Sequence, residues 1–241
     1  MRLQRCQGQR PGLACGAGAW GAAMSRPTVT WKYGASLDGR IAAADGSSKW
    51  ITSQEARTDA HRLRAECDAV MVGSGTQATD DPHLAVRHVE AARQPLRVVV
   101  DSNARTPATA RVLDDAAPTL IAVAEDTHAD HLEGKAAVVR LPRSERGLDL
   151  HALLKALEER GIGSVLLEGG PTLAGSFLAE GLIDRVVGYV APVLIGGGGL
   201  AALAGPGAAS IELARRFRLA EVTRIGPDVR LVAYPASATA G

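Results

Sequence analysis

Two charged residues stand where the chain is otherwise apolar. Lys32 lies inside TVTWKYG (28–34) and Glu168 ends SVLLE (164–168). A charge placed in such a run costs free energy unless it is paired, solvated at a cleft or used on a ligand. Strand alternation could equally turn Lys32 to solvent and leave Glu168 capping a strand end. After Glu168 come Gly169 and Gly170, and then PTLAGS, with proline at a favoured first helical position. The free N–H groups and dipole of a helix start stabilise an anion such as a dinucleotide pyrophosphate. A tight turn needing positive φ would account for the same two glycines.

Other clusters carry weaker signals. Gly73-Ser-Gly75-Thr76 follows a short apolar run and fits G-x-G-x-x-A through Ala78, but no long helix is expected after it, which favours an ordinary turn. The stretch 76–87 gathers Asp80, Asp81, Pro82 and Arg87 in what reads as one loop, either lining a site or forming an Asp-Pro turn with solvated charges. Arg64 is explained by a solvated helix face. His88-Val-Glu90 imitates the H-x-E of zinc deaminases without their Pro-Cys-x-x-Cys partner. His128 and His131 have no third ligand nearby, so no metal site is assigned.

The elements that must position these groups alternate. Strands are expected at 28–34, 68–73, 96–101, 119–124, 136–141 and 164–168, the later ones continuous enough to be covered on both faces. Thr52 and Glu55 form a capping-box pattern opening a helix over 53–67. Leu150, Leu153, Leu154 and Leu157 recur at helical spacing with Gly161 as the stop, and a further helix runs over 171–181. VVGYVAPVLI (186–195) reads as a buried strand entering a glycine-rich loop rather than a membrane span. FRLAEVTRIG and VRLVAYP, joined at Pro227-Asp228, read as a hairpin. The expectation is one α/β domain over 28–236 with a mostly parallel central sheet, flanking helices and a C-terminal hairpin.

Composition removes several function classes. The 241 residues are 46% hydrophobic and 22% charged, an ordinary globular balance. Lys plus Arg number 27 against 26 Asp plus Glu, so no basic field is available for nucleic acid. Aromatics at 3% argue against a base-stacking platform. Three cysteines, irregularly spaced, fit a reducing, cytoplasmic setting. Residues 1–27 lack the apolar core of a signal peptide and read as a disordered extension or a start assigned upstream of Met24, with 237–241 as a tail.

Taken in order, KYGASLDG from Lys32, GSSKWIT from Gly46, GSGT from Gly73 with Asp80-Asp81-Pro82-x-Leu84-x-x-Arg87, and EGGPTLAG from Glu168 resemble the riboflavin-pathway pyrimidine reductases. These form the C-terminal half of the bacterial bifunctional deaminase-reductase. The resemblance spans about residues 28–234 and implies a dihydrofolate-reductase-like fold. It also implies NADPH-dependent reduction of the ribosyl group of 5-amino-6-(5-phosphoribosylamino)uracil to the ribityl form. The undeaminated pyrimidine, another pathway substrate such as dihydrofolate, and a non-catalytic NADPH-binding role are the alternatives.

The same resemblance implies a distribution of roles. Gly170, Pro171, Thr172, Leu173, Ala174, Gly175 and Ser176 become the cofactor phosphate loop, with Gly34, Ala35, Trp50, Thr76, Asp80 and Ser102 as further NADPH contacts. Ser48, Arg64, Leu84 and Arg87 become substrate phosphate and ribose contacts. Lys32 and Glu168 become the polar groups at the reacting carbon, Glu168 also touching substrate. Two arginines and a hydroxyl can hold a ribose phosphate through charge-assisted bonds. The turn Ser102-Asn103-Ala104-Arg105 offers a hydroxyl and a guanidinium to a 2′-phosphate. The deaminase half is missing from these 241 residues, which implies a separate deaminase in the pathway, and the family suggests a homodimer.

Overall fold

The computed structural model describes residues 26–236. Its strands are β1 (Thr28–Ser36), β2 (Arg40–Ala42), β3 (Ala69–Gly73), β4 (Leu96–Val100), β5 (Thr119–Ala124), β6 (Ala137–Leu141), β7 (Arg143–Ser144), β8 (Gly147–Leu148), β9 (Ser164–Leu167), β10 (Arg185–Ala191), β11 (Leu200–Ala201), β12 (Phe217–Ile225) and β13 (Asp228–Pro235). The helices are α1 (Gln54–Glu66), α2 (Ser74–Asp80), α3 (Leu150–Glu158) and α4 (Pro171–Ala179). Nine strands form one sheet in the order β12-β13-β10-β1-β9-β3-β4-β5-β6. From β10 to β6 all neighbours are parallel, and β13 and β12 add an antiparallel hairpin at one edge. The fold is therefore the α/β, mostly parallel one that the sequence implies.

Both faces of the parallel block are covered, as its continuous apolar strands require. β3 sends Ala69 and Met71 to one face and Val70 and Val72 to the other. On the first face the leucines of α3 and Phe177 of α4 pack against Met71, Val98 and Leu167. On the second, Ala56 and Leu63 of α1 pack with Val72, Val99 and Leu166. Arg97 is fully buried among these strands and donates to Thr119 Oγ1 and Asp114 Oδ1, a structural charge tying β4 to the 110–118 segment.

Several local expectations shift. The α1 N-cap is Ser53, not Thr52: its hydroxyl accepts the Ala56 N–H at 3.2 Å, while its own N–H donates to Asp228 Oδ2 at 2.7 Å. Gly73 to Asp80 is not a bare turn, because α2 occupies Ser74–Asp80 and takes the first half of the presumed 76–87 loop. β6 lies at the sheet edge with Ala137 and Arg140 exposed, yet Val139 and Leu141 pack into the core on one face and Val138 on the other. The strand foreseen over 186–195 ends at Ala191. Arg26 belongs to the folded part, its guanidinium paired with Asp184 at 2.8 Å, and Pro27 is buried beside it. The remaining proposed extension, 1–25, and the 237–241 tail lie outside the described residues. Among the described residues no helix is long and apolar enough to cross a membrane.

Candidate functional site

The parallel strands deliver their carboxyl ends to one edge of the sheet, where open α/β sheets place their ligand clefts. A cleft of about 870 Å³ opens there, lined by Lys32 and Gly34 of β1, Gly73 of β3, Val100 and Ser102 at the end of β4, and Glu168 to Leu173 after β9. The 41–48 segment with Ser48 and the 198–202 segment form its near wall. β2 and β11 pair antiparallel there and join those two segments.

Glu168 sits at the centre, its side chain only 6% exposed. Its backbone N–H donates to the Met71 carbonyl at 2.9 Å, which fixes it between β9 and β3. Arg64, reaching from α1, grips the carboxylate with Nε to Oε1 at 2.5 Å and Nη2 to Oε2 at 2.9 Å. Lys32 Nζ lies 3.6 Å from Oε2 and is 19% exposed, facing the cleft. Burial pushes the carboxyl pKa up, but the charges of Arg64 and Lys32 and the Arg64 hydrogen bonds outweigh it and hold it at about 2. Glu168 is thus an anion that can only accept hydrogen bonds, beside an ammonium that can only donate. Lys32 is not a solvent-facing strand residue, and Arg64 is not on a solvated helix face: its guanidinium is buried against Glu168.

The glycines after Glu168 have a steric reason. A Cβ at Gly169 would lie 3.0 Å from the Thr76 hydroxyl and methyl. Gly170 caps α4 at φ +79° with no side chain supplying a cap, so the first N–H groups of α4 are left for a ligand. Thr76, Asp80, Pro171, Thr172, Leu173 and Ser176 line the cleft around that helix start. Burial raises the Asp80 carboxyl. Ser102, Arg105 and Arg146 also line the cleft, and Arg105 Nη2 donates to Ser74 Oγ at 3.0 Å. A glycine-flanked helix start and guanidinium groups lining the same cleft fit a multiply anionic ligand.

The remaining expected site residues fall into two groups. Ser48 lines the cleft, and Ala35 is buried one residue past Gly34. Ala174 and Gly175 lie on the packed side of α4, Ala174 buried in the core and Gly175 against the Ala204 carbonyl. Trp50 is outside the cleft: 78% exposed at φ +72°, it lines a separate hollow with Pro192 and Asp228 and is stacked under Arg57 at 4.5 Å. Leu84 is a core residue, and Arg87 is exposed and does not line the cleft. Asn103 turns away from the cleft, its side chain accepting from Arg143 at 3.1 Å.

Sequence reasoning missed His61 and Arg146. His61 is one helical turn before Arg64 on α1, a spacing visible in the sequence, but only the fold shows that this face is buried against Glu168. Arg146 stands in a polar turn, and nothing local ties it to the end of β4. Among the described residues no group of three or more His, Cys, Asp or Glu is arranged to hold a metal ion.

Fold and cleft together define an α/β protein with a polar ligand cleft at the carboxyl ends of a parallel sheet. The chain matches the RibD C-terminal domain over residues 27–231 and belongs to that family. It is 44% identical over 208 residues to the riboflavin biosynthesis protein RibD of Mycobacterium tuberculosis H37Rv, covering 85% of this chain and 53% of that protein. It is 43% identical over 210 residues to the 2,5-diamino-6-ribosylamino-4(3H)-pyrimidinone 5′-phosphate reductase of Methanothermobacter thermautotrophicus, covering 85% of this chain and 96% of the relative. The chain thus spans about half the length of the RibD protein and nearly all of the archaeal one. Among solved structures, RibD of Acinetobacter baumannii superposes with a TM-score of 0.78 at 33% identity, over 88% of this chain and 59% of the other.

Proposed function

We propose that this chain reduces the ribosyl group of a 5-phosphoribosylamino-pyrimidine to its ribityl form in riboflavin biosynthesis, using NADPH, with 5-amino-6-(5-phosphoribosylamino)uracil as substrate. The observation that carries it is the pairing of an anionic Glu168 with the Lys32 ammonium in a cleft that also offers a free helix start and guanidinium groups to an anion. Gly170 to Leu173 and Thr76 would hold the cofactor phosphates, and Ser102 and Arg105, joined by Arg146, would hold a 2′-phosphate. NADPH bound there supplies the hydride.

The reaction balances with this chain's residues. Ring opening moves a proton from the glycosylamine nitrogen to the ribose ring oxygen and leaves a C1′=N imine. Reduction adds a hydride to C1′ and a proton to the nitrogen. Glu168, fixed as a carboxylate, accepts hydrogen bonds from the ribose hydroxyls and orients C1′. Lys32, with protons to give, assists delivery to oxygen or nitrogen. Ser48 offers a hydroxyl to the sugar phosphate from the near wall.

The undeaminated pyrimidine is a second reading, favoured by the 43% identity to a reductase named for that substrate. Either way a deaminase acts in the pathway, before or after this step. The test is anaerobic loss of NADPH absorbance with the two ribosylaminopyrimidine phosphates in separate cuvettes. Turnover of the uracil compound is expected. Turnover of the diamino compound alone reverses the order of steps, and turnover of neither overturns the reductase reading. Equal rates with NADH would remove the 2′-phosphate role of Ser102, Arg105 and Arg146. A homodimer and a cytoplasmic setting complete the reading. The support for the dimer is β12, exposed along nearly its whole length with one edge unpaired.

A further inference from the structure

The turn after β4 presents Ser102 and Arg105 to the cleft, and one buried carboxylate gives that turn its shape. Asp101, the residue directly after β4, is fully buried and lines no part of the cleft. Its N–H donates to the Ala122 carbonyl at 2.8 Å, which holds its backbone to β5. Its side chain closes a loop: Oδ2 accepts both the N–H and the hydroxyl of Thr106, each at 2.7 Å. Within the loop the Ala104 N–H donates to the Asp101 carbonyl at 3.0 Å, and Ala104 is held at φ +49°, a region that side-chain-bearing residues seldom adopt. The loop is also anchored from outside. His131 Nε2 donates to the Thr106 carbonyl at 3.0 Å, and the Ser102 carbonyl accepts from the Ala124 N–H and the Thr127 hydroxyl at 3.2 Å and 2.9 Å. Asp101 Oδ1 has no hydrogen-bond partner among the described residues, so the loop uses one carboxylate oxygen of the two.

In dinucleotide-binding α/β sheets an acidic side chain near a strand end can take the ribose 2′-OH of NAD, whereas an arginine accommodates the 2′-phosphate of NADP. A carboxylate facing a 2′-phosphate would repel it. We propose that Asp101 is a positioning residue for cofactor selection: by closing the 101–106 loop onto Thr106 it keeps its own carboxylate out of the cleft and sets Ser102 and Arg105 where a 2′-phosphate is read. Asp101 touches neither cofactor nor substrate. It acts through two residues that line the cleft, and the inference rests on the reading above, in which Ser102, Arg105 and Arg146 meet that phosphate. What the loop requires of residue 101 is an acceptor at the place of Oδ2, not a charge.

Two replacements separate acceptor from charge and volume. Asp101→Asn keeps a carbonyl oxygen for Thr106 and loses the charge; Asp101→Leu keeps the volume and loses the acceptor. Binding of NADPH and of NADH is followed by tryptophan fluorescence with no substrate present. The wild type is expected to prefer NADPH. In Asp101→Leu the ratio of the two dissociation constants should fall about tenfold, with NADPH weakened and NADH unchanged, as for loss of a charge-assisted hydrogen bond. In Asp101→Asn the ratio should stay at the wild-type level. A merely structural defect weakens both cofactors alike, so an unchanged ratio in the Leu variant would overturn the inference. An equal fall in the Asn variant would overturn it too, by assigning the effect to the charge. Thr106→Val removes one of the two bonds at nearly constant volume and should lower the ratio by less, and should Asp101→Leu not fold, an unchanged ratio in this variant is the overturning result. Amide hydrogen exchange at Thr106 reports loop closure with no cofactor present: it should speed up in Asp101→Leu and stay slow in Asp101→Asn. If exchange behaves so while the wild type binds both cofactors equally, the 2′-phosphate reading fails and takes the selection role with it. If the wild type prefers NADPH and the Leu variant keeps that preference with its loop opened, the reading survives and the role of Asp101 alone is lost.

Discussion

At the scale of single residues, the site is organised around one carboxylate that two positive groups, Arg64 and Lys32, keep ionised. Glu168 has an ordinary pKa of 4.5 and a folded value of about 2. A carboxyl whose pKa is depressed on folding contributes stability that is complete above its unfolded value and is lost as pH falls toward the folded one. The difference corresponds to about 3 kcal/mol, most of it from Arg64 at 2.5 Å and 2.9 Å, with Lys32 behind it. Replacing Glu168 with Gln should therefore lower the melting temperature at neutral pH, because Arg64 is left buried without its counter-charge. The loss should shrink as pH falls from about 4.5 toward 2, where the native carboxylate is itself being protonated. The variant should also lose about a hundredfold or more in kcat while binding NADPH normally. Full turnover would exclude Glu168 from the reaction, and a constant stability difference across the acid range would show that its charge is not what holds Arg64. Lys32 and Glu168 were legible as site residues because a charge in an apolar strand is conspicuous. Their partner was not, since Arg64 and His61 are ordinary helix residues until tertiary packing brings α1 against the end of β9.

At the scale of elements, periodicity read well where one face of an element meets the core and poorly where a contact from elsewhere decides. All four leucines of α3 are buried as their spacing requires, and α4 starts at Pro171 as foreseen. The N-cap of α1 moved by one residue because Asp228, far along the chain, accepts the Ser53 N–H and draws that residue into the capping position. β6 packs on both faces as its composition suggests, but its place at the sheet edge is a matter of topology that no local pattern encodes. The glycines before and within α4 divide in the same way: Gly169 and Gly170 announce a strand-to-helix turn, while the need for Gly175 is visible only against its neighbour. A methyl group at Gly175 would overlap the Ala204 carbonyl, whose own N–H donates to the Pro171 carbonyl at 3.1 Å. Gly175→Ala must therefore push α4 away from the segment that leads to Leu200 and Ala202 on the cleft wall. We expect a stability loss of about 1–3 kcal/mol in denaturant melts, together with weaker NADPH binding in a fluorescence titration if the α4 start holds the cofactor phosphates as proposed. A variant with unchanged affinity would separate α4 from the phosphate site.

At the scale of the whole molecule, the parallel block is closed by helices and the edge at β6 is short, whereas the other edge is left open. β12 pairs with β13 on one side only, and over its nine residues all but the two ends are exposed. Leu219 and Val222 are 53% and 60% exposed, and Arg218, Glu221 and Thr223 alternate with them. A long exposed edge strand with apolar side chains invites pairing with another chain, and single-chain proteins blunt such edges by shortening, bulging or covering them. The irregularity between Leu219 and Glu221 bends β12 but leaves most of its length paired in register to β13. Two copies related by a twofold axis would present the same surface to each other, satisfying the edge and the apolar residues at once. Under the homodimer reading, sedimentation should give a dimer at micromolar concentration, and Leu219→Lys with Val222→Lys should shift it to a monomer. Because β12 lies across the hairpin from the cleft, that monomer should still bind NADPH. A wild-type monomer at every concentration measured would refute the dimer. A double-lysine variant that remains dimeric would move the interface to another surface, leaving the exposure of β12 unexplained by self-association.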